Sequence, residues 1–79
     1  MNSNTVTLRE IKSGKKCTVE DLLSKGKARN RLLDLGFVKN SIIEVLQKSP
    51  SGDPVAYFVK GCVIALRSED AENILVKEI

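Results

Sequence analysis

Thirteen Lys and Arg against ten Asp and Glu give this 79-residue chain a formal charge of +3, and a chain so short makes one domain with a marginal core. At 42 % apolar and 29 % charged it has the composition of a globular protein. With no histidine, no tryptophan and two cysteines, it lacks the material for a triad, a His-ligated metal centre or a four-thiolate zinc site, and is not expected to be an enzyme.

Residues 1–6 read as a disordered tail, without the basic and apolar regions of a secretory signal, and residues 7–79 as the single domain. Thr7-Leu8-Arg9-Glu10 has the form of a capping box. Ser13-Gly14-Lys15-Lys16 is a turn. Cys17 and Val19 then alternate with Thr18 and Glu20 as in a half-buried strand, and the alternation slips at Asp21-Leu22-Leu23, as at a bulge. Over 27–35 the spacing predicts a helix whose apolar stripe is Ala28, Leu32 and Leu35, with Leu33 beside it. Gly36 stands where a left-handed cap is needed, and Phe37 can pack back on the last turn.

The rest reads as β structure. Ile43 and Val45 point one way, Ile42, Glu44 and Leu46 the other. Ser49 to Pro54 is a turn longer than a two-residue hairpin, with Pro50, Gly52, Asp53 and Pro54 defining a rigid loop. Val55, Tyr57 and Val59 alternate with Ala56, Phe58 and Lys60; Gly61 breaks the run, and it resumes from Cys62 to Arg67. Ser68 is placed to cap a helical turn whose Glu69 and Asp70 suit the positive end of the dipole. Ile74 and Val76 form a last strand. Five short strands with a short helix after the first fit a small, mainly β, bent barrel, whose closure removes exposed edges.

No apolar run exceeds the five residues of Cys62 to Leu66, against the roughly 20 needed to span a bilayer, so a cytoplasmic protein with reduced thiols and no membrane insertion is expected. Charge runs +2, +3 and −2 over residues 1–26, 27–48 and 49–79. The basic middle holds only Phe37 as an aromatic, which argues against nucleic acid as a partner.

Three segments in order, Arg31-Leu32-Leu33-Asp34-Leu35-Gly36-Phe37, then Ser49 to Pro54, then Gly61 with Ile64-Ala65-Leu66-Arg67, resemble the FeoA family over about residues 7–77. The resemblance implies an SH3-like barrel with a helix inserted after the first strand. It also implies a non-enzymatic accessory or regulator of bacterial ferrous-iron uptake that contacts FeoB, a membrane iron transporter with a cytosolic G-domain. Two departures stand out: Lys39-Asn40 replaces the family's usual Pro-Gly, and Ser51 replaces an apolar loop-tip residue.

Outward-facing Ile42, Leu46, Phe58 and Val63 form the candidate partner-binding patch, for FeoB or for a second copy. Arg31 is spaced to pair with Asp34 on the helix surface. Arg29 and Arg31 are also the candidates for a side chain reaching a partner's nucleotide. Leu32, Leu35, Gly36, Phe37, Pro50, Gly52, Asp53, Pro54 and Gly61 are read as structural. No cofactor is expected. The one opening for a divalent metal, Glu69, Asp70 and Glu72, is explained by first-turn placement; Cys17 reads as core, and Cys62 lacks a second ligand. The alternatives are the SH3-like domain of a metal-responsive regulator and an RNA- or ribosome-binding barrel.

Overall fold

Period-two alternation builds most of the fold. The structure is a computed structural model that describes residues 5–79. Six strands form one antiparallel sheet: β1 (Thr5–Thr7), β2 (Lys16–Leu22), β3 (Ile42–Lys48), β4 (Val55–Val59), β5 (Cys62–Leu66) and β6 (Ile74–Glu78). Their order across the sheet is β1-β6-β2-β3-β4-β5. A single 3-10 turn, Leu8–Glu10, follows β1. Helix α1 (Gly26–Leu35) lies between β2 and β3, and the one-turn α2 (Ser68–Ala71) between β5 and β6.

Three expectations need correction. The sheet has six strands rather than five, and the added one, β1, begins within the stretch read as a tail and ends at Thr7, the first residue read as domain. Three residues carry too little pattern to be seen, and β1 forms only because β6 offers it an edge, with Thr5 opposite Lys77 and Val6 opposite Val76; residues 1–4 of that tail lie outside the described residues. The helix accordingly follows the second strand. The sheet is also not closed, since β1 and β5 are its two edges.

Two bulges set the geometry. The β2–β6 register shifts between Val19 and Asp21, and the β3–β4 register shifts between Val45 and Gln47. An extra residue at each point bends the strand and swaps which side chains face inward. That is why Cys17, Val19 and then Leu22 are all buried although the spacing breaks. Ile43, Val45, Tyr57, Val59, Leu66, Ile74 and Val76 complete the sheet's inner face, closed over by Leu8, Leu32 and Phe37. Among the described residues the core contains no buried polar or charged side chain.

Helix α1 sits turned from the expected stripe. Leu32 is buried and Leu33 and Leu35 are half-buried, but Ala28 is exposed. Arg29 takes its place on the inner side, because its Nη1 donates to the carbonyl of Leu22 at 3.0 Å. Gly36 ends the helix at φ +109°. Its N–H donates to Leu33 O and that of Phe37 to Leu32 O, both at 3.0 Å, the paired bonds of a Schellman cap. Phe37 is fully buried immediately beyond.

Candidate functional site

The outer face of β3, β4 and β5 carries the site. Lys16 lies opposite Glu44 across β2–β3, Glu44 opposite Phe58 across β3–β4, and Phe58 opposite Val63 across β4–β5. These four side chains make one continuous row across four strands. Ile42 belongs to the neighbouring row, two residues along β3 from Glu44 and on the same face. Ile42 is 57 % exposed, Phe58 41 % and Val63 66 %.

Ile42 and Phe58 share an open groove of about 600 Å³. One wall is the segment from Val38 to Ser41, and the other is the turn at Lys60 and Gly61; Lys16 and Glu44 complete the lining. Both walls are shaped by left-handed backbone. Asn40 has φ +73°, and Lys60 and Gly61 have φ +49° and +82°, the two positive values that a tight I′ hairpin requires. Asn40 thus holds the wall's turn, in a conformation Asn tolerates. Its N–H donates to Val19 O at 2.8 Å, tying the wall to β2.

The structure separates the other sequence-based candidates. Leu46 is the extra residue of the β3 bulge and half-buried, so it does not join Ile42 and Phe58 in the groove. Arg29 is held by the Leu22 carbonyl. Arg31 pairs with Asp70 at 3.2 Å, not with Asp34. α2 lies close enough to α1 to offer that carboxylate, a neighbour invisible to helical spacing. In the 49–54 loop, Gly52 N–H donates to Ser49 O at 2.8 Å, while Pro50, Asp53 and Pro54 are exposed. Ser68 opens α2 without capping it: its N–H donates to Asp53 Oδ1 at 2.8 Å, so the cap comes from that loop.

The groove residues the alternation missed are polar ones. Lys16, Lys39, Lys60 and Glu44 look like ordinary surface in the sequence. The available signals were Glu44 sharing the outward register of Ile42, and the Lys60-Gly61 pair between two alternating runs.

Among the described residues, no three His, Cys, Asp or Glu side chains are grouped to hold a metal. Burial pushes the Cys17 thiol up to about 12, with Glu78's charge adding to the effect. A thiol so disposed stays protonated and is a poor nucleophile or metal ligand. Tyr57 is likewise raised to about 12, first by burial, then by Cys17 and Asp53. No helix among the described residues is long and apolar enough to cross a membrane.

Comparison with known proteins gives the arrangement a family. The family model described as the FeoA domain matches residues 6–78. The chain is 36 % identical over 72 residues to an Fe(2+) transport protein A/Fe(2+) transporter FeoB fusion protein of Porphyromonas gingivalis, covering 91 % of this chain but 8 % of that protein. It is 31 % identical over 74 residues to a Campylobacter jejuni protein named "Putative Fe(2+) transport protein A", covering 94 % of this chain and all of that one. The crystal structure of Stenotrophomonas maltophilia FeoA complexed with zinc, described as a prokaryotic SH3 domain protein, superposes with a TM-score of 0.82 at 29 % identity, covering 91 % of this chain and 89 % of that one. A manganese-dependent transcriptional repressor, at 16 % identity and TM-score 0.87, shares the fold over 44 % of its own length. Sequence and structure together show that the chain belongs to the FeoA family, whose members serve ferrous-iron transport with an SH3-like fold.

Proposed function

We propose that this chain is a non-enzymatic cytoplasmic accessory of ferrous-iron uptake that contacts a FeoB-type transporter through the outer face of β3, β4 and β5. One observation carries the reading: Ile42, Phe58 and Val63 stand exposed together on a single sheet face. A contiguous apolar patch on so small a molecule marks an interaction surface, and the charged rim suits a transient contact. The fusion protein of Porphyromonas gingivalis supports the choice of partner, since it carries an FeoA part and an FeoB part in one chain. Joining two proteins covalently raises the effective concentration of one at the other.

The test is binding of the full chain to the cytosolic part of the transporter from the same organism. Ile42→Ser combined with Phe58→Ser should weaken binding at least about tenfold, roughly 1.4 kcal/mol. It should also reduce anaerobic ferrous-iron uptake in a complemented deletion strain. Unchanged binding and uptake would refute the assignment of this face.

A further inference from the structure

The floor of the groove is apolar, yet its rim is charged in one dominant sign. Lys16, Lys39 and Lys60 line it together with a single carboxylate, Glu44. The two ion pairs among the described residues, Arg9–Glu72 and Arg31–Asp70, involve none of these four groups. Even Lys16 and Glu44, directly opposite across β2–β3, do not pair. Three ammonium groups are therefore left facing solvent around Ile42 and Phe58.

Building on the proposed contact face, we infer that the groove takes a short acidic segment of a partner protein, anchored by one large apolar side chain. The apolar side chain would lie on Ile42 and Phe58 between the two walls. Carboxylates on either side of it would meet Lys39 and Lys60 along the walls and Lys16 at the β2 end. Complementary charge at such a rim sets partner choice and association rate more than affinity.

Two other occupants fit less well. A nucleic acid strand would bring its phosphates against Glu44, which stands in the row between Lys16 and Phe58, and would find one aromatic ring to stack on. A second copy would need a free acidic segment. In its densest one, Glu69, Asp70 and Glu72, two of the three carboxylates are engaged: Asp70 pairs with Arg31 and Glu72 with Arg9.

The experiment titrates the isotope-labelled full chain with a synthetic peptide holding one Phe flanked by Glu residues, followed by amide NMR. Expected are shifts confined to Lys16 and residues 38–44 and 58–61, weakening as added salt shortens the screening length. Lys16→Glu with Lys39→Glu and Lys60→Glu should reduce affinity at least about tenfold while leaving the melting curve in place. A peptide with Lys for Glu should fail to bind, and one with Ser for Phe should bind less well. The inference is overturned by no shift, by shifts outside the groove, by equal binding of the Lys peptide, or by a single-stranded RNA oligomer binding there instead. Binding of the transporter's cytosolic part by the same variants separates this inference from the reading beneath it. If the triple Lys variant binds like wild type while Ile42→Ser with Phe58→Ser does not, the contact face stands and its acidic ligand falls. If neither variant matters, both fall.

Discussion

Asp53 Oδ1 accepts a hydrogen bond from the backbone N–H of Ser68 at 2.8 Å, so the loop between β3 and β4 supplies the N-terminal cap of α2. The bond joins the two connections that meet at the open end of the β4–β5 hairpin, where Val55 pairs with Leu66. It gives the 49–54 loop a structural duty that its exposed position conceals. Asp53→Ala should lower unfolding free energy by about 1 kcal/mol, with Asp53→Asn retaining most of it. Ser68→Ala should be nearly silent, because the Ser68 side chain makes no cap bond. Urea denaturation of the three variants checks the contrast.

Gly36 answers a sharper constraint. At φ +109° a side chain is strained, and a Cβ there would stand 3.0 Å from Val59 Cγ1. Gly36→Ala should cost about 1–3 kcal/mol through that strain and contact. Thermal unfolding reads it directly: a shift no larger than that of an exposed-site alanine would contradict the cap geometry.

The two thiols should behave oppositely. Cys62 is exposed and Cys17 buried, so a thiol reagent on the native chain should modify Cys62 promptly and Cys17 only as fast as the chain unfolds. The raised Cys17 value also gives a pH dependence. A thiol at about 12 when folded and near its ordinary 9.0 when unfolded keeps its proton longer in the native state. Its contribution is fully present below pH 9 and is lost as pH rises toward 12. Tyr57, at about 12 from 10.0, acts in the same direction. Denaturant midpoints should therefore fall across that window, and less steeply in Cys17→Val.

Arg31 offers a test of where the helix looks. A double-mutant cycle with Asp70 should return a coupling of about 0.2–1 kcal/mol, as exposed pairs do, and one with Asp34 should return none. Addition of Arg31→Ala to a partner GTP-hydrolysis assay checks the nucleotide role: with Arg31 tied to Asp70, hydrolysis should match wild type.

Inward and outward neighbours on β3 should part company. Ile43→Ala empties a fully buried site and should cost about 2–5 kcal/mol. Ile42→Ser next to it should stay within about 0.5 kcal/mol of wild type. Equal losses at the two positions would mean that the register across β3 and β4 is wrong.

Much of the fold was legible because its signals are local. Alternation placed Ile43, Val45, Tyr57 and Val59 inward, Gly36 marked the end of α1, and the slip at Asp21 announced a real bulge. The misreadings share a different cause, contacts between distant parts of the chain. β1 depends on β6, the cap of α2 on Asp53, the partner of Arg31 on α2, and the exposure of Ala28 on a carbonyl at the end of β2. The groove was half legible. Its apolar floor followed from period two, but Leu46 left it at a bulge that no residue type marks. Its lysines come from three separate segments that only the folded sheet assembles.

The place of β6 between β1 and β2 has a consequence for the order of events during synthesis. Of the six strands it is translated last, yet two earlier ones need it. A nascent chain extending only to residue 66 can zip β3 to β4 and β4 to β5, whereas β1 then has nothing to pair with and one edge of β2 stays bare. Completion depends on residues 74–78 slotting between strands made long before, the slowest kind of contact for a chain to find. Until that moment the growing polypeptide displays open sheet edges that invite the wrong partner.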